Sequence, residues 1–149
     1  MKSLSVAEEY SKSTGLRYSA ISDFSGEDFY HSLLNERFAD AISNGEDLEL
    51  SFDGTDDGCG PSFIDESIGN LVYDFTLAVV QTRLHIISND MPMWLDMIME
   101  ETYPDWENRR IKKDEPKITV PHSAWIRMVE KDKFEKAIWI SETTSIKDI

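Results

Sequence analysis

A chain of 149 residues with 40% hydrophobic and 30% charged side chains has the makeup of one folded domain, 1–149, able to bury its own core, and no apolar run reaches the ~20 residues of a membrane span. Its net charge of −14 repels nucleic acid and anionic membrane and matches a basic protein partner instead, although acidity alone also serves solubility. The single cysteine, Cys59, excludes an internal disulfide framework, and the opening MKSLSVAEEYSKS is too acidic for a signal peptide, so the expectation is a soluble, cytoplasmic protein. The acidity is uneven: residues 1–60 hold 13 Asp or Glu against four Lys or Arg, residues 61–149 hold 16 against 11.

LSVAEEY (Leu4–Tyr10) alternates as a first strand would. The loop STGLRYSAIS follows, and then Ser25 with Asp28 three residues later opens a helix as a capping box does. Tyr30, Leu34, Phe38 and Ala41 place one apolar face along that helix, and Asn44-Gly45 stops it. Asp47–Phe52 alternates again as a strand. An acidic glycine loop leads into a second amphipathic helix carrying Ile64, Ile68, Leu71, Val72, Phe75 and Val79. Arg83–Ile87 is a short apolar strand. Alternation of strands and helices predicts an α/β fold whose later strands run parallel. Beyond Asn89 the signal is an α-rich segment: a helix through MPMWLDMIMEE ended at Tyr103-Pro104, a polar stretch WENRRIKKDEPK that is a short helix or loop, a brief strand ITV, a helix over HSAWIRMVEKDKF, a final strand KAIWI and a frayed tail.

The loop FDGTDDGCG admits three chemistries. Asp53, Thr55, Asp57 and Gly58 fit the start of a calcium loop, but its twelfth position falls on Ile64 where a bidentate glutamate is needed; a weak cation site on Asp53, Asp56 and Asp57 is the remaining metal reading. Gly54, Gly58 and Gly60 precede a helix N-terminus, as in phosphate cradles, yet no P-loop lysine follows and three aspartates oppose an anion. For catalysis, His31, His85 and His122 sit in unrelated elements, no nucleophile elbow is present, and Cys59 among acids is a poor nucleophile. No metal, cofactor or enzymatic activity is expected. Ser62 and Asp65 can each cap the second helix, with Phe63 and Ile64 as inward anchors and Glu66 and Ser67 in the first turn.

The motifs TGLRY, DFSGEDF, LELSFDG and GCGPSFIDESIGNLV, in that order, resemble the bacterial STAS-like family of unknown function over residues 3–88, leaving 89–149 as an extension packed on that core. The resemblance implies a small mixed β-sheet with helices packed on it. It also implies, through the similarity of that family to the anti-sigma-factor antagonists, a non-enzymatic regulatory switch acting on a protein partner such as a histidine-kinase-type ATPase or kinase-like regulator. In those antagonists a hydroxyl at the helix start is phosphorylated. Here Phe63 and Asp65 match the motif, Glu66 falls on the first hydroxyl position, Ser67 on the second as the candidate phosphoacceptor, and Ile68 replaces a glycine. The expected partner-binding surface is Arg17, Asp56, Asp57, Gly58, Ser62, Phe63, Asp65, Glu66 and Ser67, with Arg17 either bracing it through an aspartate or standing free in solvent. The rival reading is an acidic DNA mimic, as phage-encoded inhibitors are, that blocks a nucleic-acid-binding enzyme. Trp94, Trp106, Trp125 and Trp139 all fall in the C-terminal third, as sheet-packing residues or as a homodimer or partner surface.

Overall fold

The computed structural model describes residues 1–130, 133–138 and 147–148. Strands β1 (Lys2–Ser5), β2 (Leu48–Ser51) and β3 (Leu84–Ile87) form a parallel sheet in the order β1-β2-β3. The register aligns Leu4 with Leu50 and Ile86, and Lys2 with Leu48 and Leu84. Because side chains alternate across a strand, Leu4, Leu48, Leu50 and Leu84 share one buried face, while Ser3, Glu49 and His85 line up on the other, which is polar and open.

The first expected strand is shorter than the alternation suggested. Ser5 caps a helical turn, α1 (Val6–Glu9), accepting from the Glu8 amide at 3.2 Å while Glu9 accepts from the Ser5 amide at 3.1 Å. Local capping overrides the strand pattern after Leu4.

The helix expected from Ser25 runs from α2 (Gly26–Phe29) through a π-helical turn (Tyr30–Leu34) into α3 (Asn35–Ser43). Ser25 accepts from the Asp28 amide at 3.0 Å; the return half of the capping box is missing, since Asp28 accepts from the Tyr10 hydroxyl instead. Asn44 and left-handed Gly45 end α3.

Helix α4 (Pro61–Phe75) is the centre of the molecule, with Phe63, Ile64, Ile68, Leu71, Val72 and Phe75 wholly buried. Neither Ser62 nor Asp65 caps it: Gly60 holds that position, with Pro61 opening the first turn. Thr76 ends it with a left-handed φ of 76°, so Val79 belongs to a separate helix, α5 (Leu77–Arg83), which Thr76 caps.

Tyr103-Pro104 does not break the C-terminal helix. Helix α6 (Met93–Met97) passes through a second π-turn (Ile98–Thr102) into α7 (Tyr103–Lys112). A proline inside an α-helix lacks a donor and crowds the carbonyl four residues back; widening the preceding turn relieves both. The expected helix over HSAWIRMVEKDKF is instead a hairpin, β4 (Trp125–Glu130) and β5 (Lys133–Ile138), with β6 (Lys147–Asp148) beside β5 in an antiparallel sheet. What decides it is tertiary: Asn35 takes the Ile126 amide and carbonyl in two 2.8 Å bonds, which fixes that backbone as extended. Ile118–Val120 forms no strand. Trp139 and residues 141–146 of the expected tail lie outside the described residues.

The C-terminal segment joins the same core, in which Ile98, Tyr103, Trp106 and Trp125 are buried with the helices above the parallel sheet. Among the described residues no helix is long and apolar enough to cross a membrane.

Candidate functional site

The loop between β2 and α4 is built to hold a fixed shape. Asp53 accepts from the Asn89 side chain at 3.0 Å and the Asp90 amide at 2.9 Å, and Asp90 in return accepts from the Gly54 amide at 2.9 Å. Asp53 is thereby committed to protein donors. Asp57 and Gly58 both take left-handed backbone, and a side-chain carbon on Gly58 would lie 2.2 Å from the Met91 sulfur. Asp56 and Asp57 project into solvent, as the expected surface requires. Cys59, a poor nucleophile on sequence grounds, is 3% exposed, and burial pushes its thiol pKa up. It is a small core residue.

At the first turns of α4 the expected residues part company. Arg17 does brace the surface: its guanidinium meets Asp65 at 2.7 Å and Glu66 at 3.1 Å. Phe63 and Ser67 are wholly buried, so neither touches a partner in this conformation. The Ser67 hydroxyl donates back to the Phe63 carbonyl at 2.7 Å and is closed to a kinase while α4 keeps its first turns. Glu66 is 1% exposed; burial raises its pKa, opposed by Asn70, which donates to it at 2.9 Å, and by Arg17. Its charge is an internal counter-ion to Arg17 rather than an outward signal.

The C-terminal helix completes this site. Thr102 donates to Asp65 at 2.9 Å and the Trp106 indole donates to it at 3.2 Å. Trp106 lies so close to α4 that a methyl group at Gly69 would come within 2.0 Å of its ring. That close approach explains the glycine. Between these elements lies a cleft of about 230 Å³, lined by Arg17, Pro61, Ser62, Asp65, Met97, Glu101, Thr102 and Asp105. Three carboxylates against one guanidinium, itself paired, suit a cationic group.

Two further buried polar groups escaped the sequence reading. Asp74, at the far end of α4, meets Arg127 at 2.8 Å and accepts from the Tyr30 hydroxyl; burial pushes its pKa up to about 6, against the pull of Arg127. Glu27, wholly buried, takes His122 at 2.6 Å, the Thr119 hydroxyl at 2.6 Å and the Thr119 amide at 3.0 Å; burial alone would raise its pKa, but these partners hold it down to about 2. His31 stacks on His122 with ring centres 4.3 Å apart, and both its ring nitrogens are buried without a hydrogen-bond partner among the described residues; burial and then His122 depress its pKa to about 3. Only Asp74 carried a sequence clue, an acid set between Tyr73 and Phe75 on a helix; Glu27 stands between Gly26 and Asp28.

No curated protein and no solved structure is detectably similar to this chain. The matched region begins at the Ser25 cap, later than the expected start, and runs to Trp94, taking in α2 to β3 and only the first residues of the C-terminal helix, and not the hairpin. The family model of a STAS-like domain of unknown function (DUF4325) matches residues 25–94.

Proposed function

We propose that this chain is a non-enzymatic, regulatory protein-binding module, and that it receives a basic segment of its partner in the cleft at the N-terminal end of α4. The observation that supports this is the cleft itself. It gathers the expected residues Arg17, Ser62 and Asp65 with Glu101, Thr102 and Asp105 from the C-terminal helix, on surfaces that already have fixed side-chain positions. Preorganised groups bind at lower entropic cost. A kinase-like or ATPase regulator is the partner class that the STAS-like character favours. Glu66 in the hydroxyl position, tied to Arg17, points to a docking state that does not depend on phosphorylation of Ser67.

The test is capture from the native host by the wild-type chain and by a Glu101→Lys, Asp105→Lys variant, both positions being exposed. A protein held by the wild type and lost from the variant is expected; undiminished capture overturns the reading. A captured protein that duplex DNA displaces, equally from wild type and variant, would instead support an acidic DNA mimic acting through the whole charged surface.

A further inference from the structure

We infer that a second surface, the groove between β3 and the helix from Met93 to Lys112, accepts an extended strand of a protein partner whose apolar side chains alternate with lysine or arginine. The inference rests on the reading of the chain as a protein-binding module but uses a different face of it. The C-terminal helix has two flanks. Met97, Glu101 and Asp105 line the cleft above; Leu95, Met99 and Tyr103 line a groove of about 230 Å³ closed on the other side by Leu84 and Ile86 of β3.

Three observations converge there. First, β3 is an edge of the parallel sheet among the described residues. Ile87 turns its carbonyl to Phe52 at 2.9 Å, so by alternation Leu84 and Ile86 turn their backbone groups outward. The Leu84 amide is used by the Val80 carbonyl at the end of α5; no such bond serves the Ile86 amide or carbonyl among the described residues. An edge strand with free backbone groups is a template for one more strand. Second, the floor beside that edge is apolar and part of it stands in water: Leu95 is 37% exposed and Met99 58%. Methionine at such a surface adapts to varied side chains. Third, the helix side of the groove is acidic. Asp96 and Glu100, both exposed, flank Leu95 and Met99, and among the described residues Gln81 is the one polar side chain lining the groove besides the Tyr103 hydroxyl. A second copy would bring the same acids face to face, on a chain of net charge −14. Basic residues alternating with apolar ones match backbone edge, floor and acidic side together.

The probe is an eight-residue peptide alternating valine and lysine, titrated into the isotope-labelled full chain and followed by amide NMR. Shifts confined to Leu84–Ile87 and residues 95–103, with slowed exchange of the Ile86 amide, are expected below ~1 mM peptide. A valine–glutamate peptide should bind about tenfold more weakly, as should the lysine peptide with a Leu95→Ser, Met99→Ser variant, whose changed positions are solvent-exposed. Asp105→Lys should leave this titration unchanged, which separates it from the cleft: loss of partner capture with an intact peptide titration sinks only the cleft reading. The inference is overturned by no shift up to ~1 mM, by shifts confined to Arg17 and Asp65, by equal binding of the glutamate peptide, or by dimerisation of the chain through these same residues.

Discussion

The two ends of α4 carry the same chemistry in opposite settings. At the N-terminal end Arg17 meets a buried Glu66 and a partly open Asp65, with 29% and 25% of the Arg17 and Asp65 side chains still in solvent. At the C-terminal end Arg127 meets Asp74 with 14% and 2% exposed. A sealed pair holds its position because breaking it strands a charge; a half-open pair holds a shape yet leaves groups for a visitor. One helix thus divides its ion pairs between holding the C-terminal hairpin and presenting a cleft.

The sealed end should give the largest effect. Arg127→Ala leaves Asp74 buried without its cation, and urea unfolding should show a loss of about 3–5 kcal/mol; a loss under about 1 kcal/mol would mean water reaches that end too.

Acid should separate the two halves of the molecule by pH. Asp74 has its pKa raised to about 6, so its contribution grows as pH falls from 6 toward its unfolded value near 3.8. His31, depressed from 6.5 to about 3, loses stability over the same range and beyond. The two oppose each other down to about pH 3.8, and nothing is added to them above about pH 4.5. Below that, Glu27, lowered from 4.5 to about 2, adds its loss to that of His31. The urea midpoint should therefore change little from pH 6 to 4.5 and fall steeply below, and Glu27→Gln should blunt the steep part.

Gly69→Ala drives a methyl group into Trp106 and should cost about 1–3 kcal/mol, with a red shift of tryptophan emission as the indole leaves Asp65. Arg17→Ala, at the half-open end, should cost about 1–2 kcal/mol in urea, since Asn70, Thr102 and Trp106 still serve the two carboxylates, while partner capture falls much further. Asp57→Asn, on the exposed loop, should stay within about 0.5 kcal/mol. Equal stability losses for Arg17→Ala and Arg127→Ala would erase the contrast between the ends.

Periodicity carried the parts of the fold in which local and global preferences agree. Tyr30, Leu34 and Phe38 announced the first long helix, Ile64 to Phe75 the second, and Leu48–Ser51 and Leu84–Ile87 the paired strands. Arg17 was found because TGLRY stood out as a motif. What stayed hidden is set by distant partners. Glu27, Glu66 and Asp74 look like solvated helix acids until residues up to 95 positions away are brought against them. Ser67 looked accessible because the first turn of a helix usually is; here it is wholly buried, with its hydroxyl turned back onto the Phe63 carbonyl. Trp125 to Glu130 has helix-compatible composition, and its pairing with β5 together with the approach of Asn35 makes it a strand.

That asparagine has a consequence for how the chain keeps to itself. By donating to the carbonyl of Ile126 and accepting from its amide, one side chain imitates the rung a neighbouring strand would supply. The exposed border of the hairpin is thus occupied where it meets the helix, and a sticky ribbon that could recruit further chains into aggregates is blunted without a proline or a lysine at that point.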